Sequence, residues 1–193
     1  MSQTTLDIKE PGLNVLPPGV ERHVVNAGGL TGLQIFPDDE IEIINEEGNQ
    51  ICEIICFDKD GKSELGILNQ KENCKKSFIK ELLKSKDESS LITNLQLKKR
   101  NLDINKSKSS ILFDEQTPSG EKIKIKSKDK CYVIFAAPQN DMLVSEQNPS
   151  SELTLFIKRD KIVNDKELSI IPDPIYEPRH EENICLLYTS DAA

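Results

Sequence analysis

Cys52 and Cys56 lie four residues apart in an apolar run from Ile51 to Phe57. Strand spacing puts both thiols on one face, with Ile54 between them. Two such thiols could begin a metal site, but a tetrahedral site draws further ligands from Cys, His or carboxylates. The chain has two histidines, His23 and His180, and His180 sits in a proline-rich stretch. Cys52, Cys56 and His23 are therefore the metal candidates. The favoured reading is that the cysteines pack as small apolar side chains and hold no metal. Glu53 interrupts the same run. A carboxylate in a covered strand must be buried with a partner or face a ligand.

Other chemistry-bearing groups read as architecture. Asn26-Ala27-Gly28-Gly29 has the composition of an anion cradle, but a P-loop needs Gly-Lys-Ser/Thr opening a helix, and a strand follows here. Lys122, Lys124, Lys126, Lys128 and Lys130 alternate along one segment. Without interleaved aromatics this is a solvated strand face that discourages edge pairing. Asp38-Asp39 and Glu46-Glu47 fall in turns and are expected to be solvated. No GxSxG nucleophile elbow occurs.

The elements that would position these groups are mostly strands. Val20–Val25, the Leu33/Ile35 pair, Ile41/Ile43, Ile51–Phe57, Ser110–Phe113, Lys122–Lys126, Cys131–Ala137 and Leu153–Ile157 show alternating or continuous apolar patterns. Leu91, Thr93, Leu95 and Leu97 alternate as a further strand would. One helix is expected over Asn73–Lys86, with Phe78, Ile79, Leu82 and Leu83 inward and Asn73 as its cap. Gly48 supplies a left-handed turn residue. Too few helices are available for parallel crossovers, so the expected fold is mostly β: a compact antiparallel barrel or sandwich with one α-helix.

The chain has 193 residues, 36% hydrophobic and 5% aromatic, with no Trp, enough for one domain with a core. A net charge of −8 argues against nucleic-acid binding. No apolar run approaches the roughly 20 residues of a membrane span, and the N-terminus does not read as a secretory signal. Five cysteines without a CxxC read as reduced thiols. A cytoplasmic protein is expected, with neither membrane nor nucleic acid as partner. Lys outnumbers Arg by 21 to 4.

Two blocks resemble the urea carboxylase-associated family, a β-rich domain. The first is Ala27-Gly28, Ile41–Ile43, Glu47-Gly48-Asn49-Gln50, Glu53 and Phe57-Asp58. The second is Tyr132–Ala137, Pro138-Gln139-Asn140-Asp141 and Leu153–Ile157. The resemblance implies a ligand pocket lined by Gln50, Glu53, Gln139 and Asp141. Many family members have a metal-ligand-type Cys just before the Pro-Gln. This chain has Ala136-Ala137 there, and Cys131 lies too early to replace it. Domains like this also precede parts similar to glycine-cleavage-type aminomethyltransferases. That implies a small nitrogenous ligand here, and a catalytic domain using tetrahydrofolate further along the same chain.

The resulting expectation divides the chain into an extended arm (1–19), a β-rich domain (20–160), a proline-rich linker (161–184) and a tail (185–193). The tail, CLLYTSDAA, resembles a translated sequencing adapter, so the natural protein is expected to depart from it near Ile184 and continue. The function expected is that of a non-catalytic N-terminal accessory or ligand-binding domain of an enzyme of amine and one-carbon metabolism. The alternatives are a free-standing domain with metal-assisted activity in urea or amide nitrogen metabolism, and a non-catalytic interaction module.

Overall fold

The computed structural model describes residues 16, 17, 19–139 and 149–160. The expected arm (apart from its described positions), linker and tail lie outside these residues, as does Asp141. Eight strands, β1 (Val20–Val25), β2 (Gly29–Ile35), β3 (Glu40–Asn45), β4 (Cys52–Asp58), β5 (Ser109–Phe113), β6 (Glu121–Lys126), β7 (Cys131–Ala137) and β8 (Leu153–Lys158), build two sheets. Sheet A has the order β1-β8-β3-β6 and sheet B the order β2-β7-β4-β5, and every named pair is antiparallel. This is the connectivity of an eight-stranded jelly roll, a sandwich rather than a closed barrel. The chain repeatedly changes sheet at tight turns. Gly28, at φ +70°, makes one of them, and its N–H donates to the Ala137 carbonyl at 2.7 Å.

Alternation along the strands fills the space between the sheets. Ile41 and Ile43 of β3 face Ile54 of β4 and Val133 and Phe135 of β7, with Leu153, Leu155 and Ile157 of β8. Each such side chain contributes about 1.5–3 kcal/mol by leaving water. The outer face of sheet A is mixed: Val20 and Phe156 lie among charged side chains, with ion pairs from Lys124 to Glu42 (3.3 Å) and from Lys126 to Asp38 (3.0 Å). Ile125 turns inward from the lysine stripe. The outer face of sheet B is apolar (Leu30, Ile55, Phe57, Tyr132, Ile134) and is covered by helices.

Here the structure differs from the expectation. The sustained helix is α2 (Glu88–Lys99), and the expected helix over 73–86 shrinks to α1 (Phe78–Leu82). The alternating Leu91, Thr93, Leu95 and Leu97 belong to α2. Asp87 caps it, accepting from the Ser90 N–H at 2.9 Å, and that cap outweighs the period-two pattern. Asn73 caps nothing. Its amide brackets Ile111, donating to the carbonyl (3.0 Å) and accepting from the N–H (2.6 Å), which satisfies the open edge of β5. Ser77 caps α1 instead.

The open ends of the sandwich are closed by polar side chains. At one end Arg159, with 5% of its side chain exposed, reaches Glu21 with two bonds of 2.8 Å, Asp39 at 2.6 Å and the Gln34 carbonyl at 3.0 Å. Asp39, expected to be solvated in a turn, is 1% exposed. It also accepts from the Phe36 N–H at 2.9 Å. Glu46 and Glu47 are exposed as expected.

Two predictions follow from this packing. Burial raises the Glu21 pKa, but hydrogen bonds from Arg159 and His23 and their charges outweigh it, so the net shift is below the ordinary 4.5. A carboxylate lowered in the folded state stabilises it above the unfolded value and loses that contribution as pH falls through the folded one. Stability should therefore drop on acidification below about pH 4.5. In Arg159→Gln that drop should flatten and overall stability should fall by about 3–5 kcal/mol, because Asp39 is left buried without its cation. Urea unfolding across pH checks both. At Gly32 an added Cβ would collide with the Tyr132 hydroxyl and stand 2.8 Å from Gln96 Oε1. Gly32→Ala should cost about 1–3 kcal/mol, and less in a Tyr132→Phe background. Equal costs in the two backgrounds would remove the hydroxyl as the cause.

Candidate functional site

Glu53 is fully buried in β4, at a point where the register with β5 shifts. It pairs across the strands with Ala136 and Ile111, so its side chain stands on the outer face of sheet B, beneath α1. Its Oε2 accepts the Ile79 N–H at 2.8 Å. A sheet carboxylate thus satisfies one of the free N–H groups of a one-turn helix. Its Oε1 is buried with no partner among the described residues.

Beside Glu53, at the same end of the sheet, lies a cleft of about 390 Å³ lined by Ile51, Phe78, Ile111, Asp114, Glu115 and Gln116. Ile51 lies just before β4, two residues from Glu53, Ile111 pairs with Glu53 from β5, and Phe78 opens the helix that Glu53 anchors. The floor is therefore apolar and the rim acidic. Asp114 Oδ1 is partly committed, accepting the Gln116 N–H at 2.9 Å. Alkyl walls with carboxylates around them suit a compact nitrogen compound carrying methyl groups and positive charge on nitrogen.

The other residues singled out from sequence take different places. Gln50 is fully buried. Its Nε2 donates to the carbonyls of Ile51 (3.0 Å) and Pro138 (2.9 Å), and its Oε1 accepts the Ser151 N–H at 2.8 Å. Gln50 ties β3–β4, the end of β7 and the start of β8 together, at the end of the sandwich opposite Arg159. Gln139 is exposed and rests beside Gly28. Gln50 and Glu53 therefore share one end of the sandwich, but bond to different elements.

Cys52 and Cys56 both belong to the core between the sheets. Burial pushes the Cys52 thiol up. A hydrogen bond with Cys131, then burial, pushes Cys56 up. Both thiols pack among the apolar side chains between the sheets. His23 lies apart on β1, with Nε2 3.0 Å from Glu21 Oε2. Among the described residues no group of three or more His, Cys, Asp or Glu is placed to hold a metal ion. No helix among them is long and apolar enough to cross a membrane.

Sequence reasoning missed Arg159 with Asp39, and Arg100, which lies 4.5 Å over the Tyr132 ring. The available signal was the scarcity of arginine. Arginine offers a planar fork and a stacking face that lysine lacks.

No protein-family model matches the chain. Over 171 residues, 89% of its length, the chain is 33% identical to the trimethylamine-oxide aldolase of Ruegeria pomeroyi. The matched part is 22% of that enzyme, so the chain spans about a fifth of its relative. The similarity makes the chain homologous to part of an enzyme.

The Glu53 arrangement predicts a contrast between two substitutions. Glu53→Gln keeps an acceptor for Ile79, so its stability should stay within about 1 kcal/mol of the parent. Glu53→Ala strands the Ile79 N–H and should cost about 1–3 kcal/mol. Equal losses in chemical denaturation would show that the acceptor for Ile79 is not what the fold uses.

Proposed function

We propose that this chain is the ligand-binding module of a larger enzyme of amine and one-carbon metabolism. It takes a small methylated nitrogen compound of the trimethylamine oxide class in the cleft beside Glu53. The observation that carries the reading is the similarity to an aldolase named for trimethylamine oxide. The cleft supports it: Ile51, Phe78 and Ile111 match methyl groups, and Asp114 and Glu115 favour positive charge on nitrogen. In this reading the rest of the enzyme carries the catalytic step. An aminomethyltransferase-like, tetrahydrofolate-using part, as the urea carboxylase-associated resemblance implies, is the form we favour for it.

The outer face of α2 supports a further partner domain. The helix buries Ser90, Thr93 and Gln96 and exposes Leu91 (53%), Ile92 (38%) and Leu95 (65%). The helix also buries Leu97, so it carries apolar residues on both faces, and the outward ones suit packing against another part of the enzyme.

Titration of the isotope-labelled chain with trimethylamine oxide should give saturable shifts at Ile51, Phe78 and Ile111, with millimolar affinity. Phe78→Ala should weaken binding by roughly tenfold, the equivalent of about 1.4 kcal/mol. Site-specific shifts are the readout, because this osmolyte raises melting temperatures without binding. Shifts scattered over the surface, or unchanged in Phe78→Ala, would sink the reading.

A further inference from the structure

The outer face of sheet B carries a second cleft, of about 330 Å³, at the end remote from Glu53. It lies between the C-terminal end of α2, the end of β4 and the start of β7. Arg100, Lys59 and Lys130 contribute its cations, and Tyr132, Leu102 and Gln34 its remaining wall. Asp58 is the acid in the lining, and its Oδ1 is committed to a turn, accepting the N–H groups of Asp60 (2.9 Å) and Lys62 (2.8 Å).

The cations are held in an unusual way. Arg100 is stacked on Tyr132, whose hydroxyl is fixed by a hydrogen bond to Gln96 Oε1. The Arg100 Nε is buried with no acceptor among the described residues. The Lys130 Nζ stands 5.0 Å over the Phe36 ring. Elsewhere on the surface Lys76, Lys108, Lys124 and Lys126 pair with carboxylates. In this cleft, among the described residues, aromatic faces take that place for two of the three cations. A cation on an aromatic ring keeps its hydrogen-bonding edge for another partner.

A helix C-terminus would ordinarily repel an anion. Here the last carbonyls of α2 are already taken. The N–H groups of Arg100, Asn101 and Leu102 donate to the carbonyls of Gln96 (3.1 Å), Lys98 (3.1 Å) and Leu97 (2.9 Å). The cleft lining therefore carries a guanidinium and two ammonium groups against the single Asp58 carboxylate, on a chain whose formal net charge is −8.

We propose that this cleft binds a small metabolite bearing carboxylate groups. The Arg100 guanidinium takes one carboxylate through its planar edge, Lys59 and Lys130 take the remaining negative charge, and Leu102 with the Tyr132 ring packs against the carbon skeleton. A planar anion is specified because the cleft offers one fork and two point charges, not the nest of backbone N–H groups that holds a tetrahedral phosphate. This site is independent of the amine cleft.

The test is titration of the full chain with succinate at low ionic strength, read at the Arg100 Nε–H and Tyr132 ring resonances. A saturable shift is expected. It should weaken roughly tenfold in Arg100→Gln and several-fold in Lys59→Ala and Lys130→Ala. The two lysines are exposed, so those variants keep the fold and the test does not depend on Arg100→Gln folding. Inorganic phosphate should shift the same resonances far more weakly. No saturation in the tens of millimolar, an unchanged response in both lysine variants, or phosphate binding as well as succinate would each overturn the proposal. So would a contact between Arg100 and a carboxylate of this same chain that succinate cannot displace. The resonances of Ile51, Phe78 and Ile111 report the amine cleft separately, so failure of one site is distinguishable from failure of the other.

Discussion

The structure depends on one buried cation. Arg159 follows β8, on the inward-facing register of Leu153, Leu155 and Ile157, and so enters the end of the sandwich where the apolar core stops. Its bonds to Glu21, Asp39 and the Gln34 carbonyl join β1, the turn between β2 and β3, and the end of β2. Those bonds cross from one sheet to the other. A jelly roll has open ends where strand carbonyls and turn amides would otherwise meet apolar side chains, and one guanidinium fork with two carboxylates satisfies several of them at once. Lysine cannot reproduce this, because it offers a point charge and no fixed fork.

Gln50 performs the neutral version of the same task at the opposite end. It accepts from Ser151 and donates to Ile51 and Pro138, which draws the ends of β7 and β8 onto the β3–β4 turn. The two clips leave the space between the sheets to side chains such as Ile43, Ile54 and Phe135. The clefts with ligand character accordingly lie outside the core, at the two ends of the outer face of sheet B. Helices meet strands there, and the helix termini leave polar groups to be satisfied. Glu53 does this for α1, and Arg100 closes α2.

The strand pattern was legible because alternation is a local property. Ile41, Ile43, Ile123 and Ile125 announce their faces without knowledge of their partners, and Gly48 announces its turn. The sandwich, the outward lysines of β6 and the core placement of Cys52 and Cys56 follow from such signals. The helix was misplaced for a physical reason. In α2 the residues that look apolar, Leu91 and Leu95, are outside, and those that look exposed, Ser90, Thr93 and Gln96, are inside. Periodicity reasoning assumes that the apolar residues share the buried face, and here Leu97 is inside while Leu91 and Leu95 are not. The long-range partners were not legible at all. Nothing near Asp39 in the sequence distinguishes it from Asp38, and its burial is caused by a residue 120 positions away. Glu53 was recognisable as a carboxylate in an apolar run, but not as the acceptor for a helix that starts 25 residues later.

The polar residues on the inner face of α2 have an interior cause. Tyr132 runs across Gly32, where no side chain obstructs it, and presents a hydroxyl that needs an acceptor, which Gln96 supplies. Ser90 donates to the Leu82 carbonyl at 2.7 Å, and Asn94 to the Leu83 carbonyl at 2.8 Å, satisfying the end of α1. Apart from Leu97, the inner face of α2 is therefore spent on polar groups of sheet B and α1. Leucines on the outer face add nothing to this domain's own stability. A helix selected only to cover sheet B would place Leu91 and Leu95 inward and lysines outward. The outward position of Leu91 and Leu95 fits the packing against another domain proposed above. The same helix would then link the module to its partner on one face, and on the other hold Tyr132 and Arg100 in the geometry of the cationic cleft.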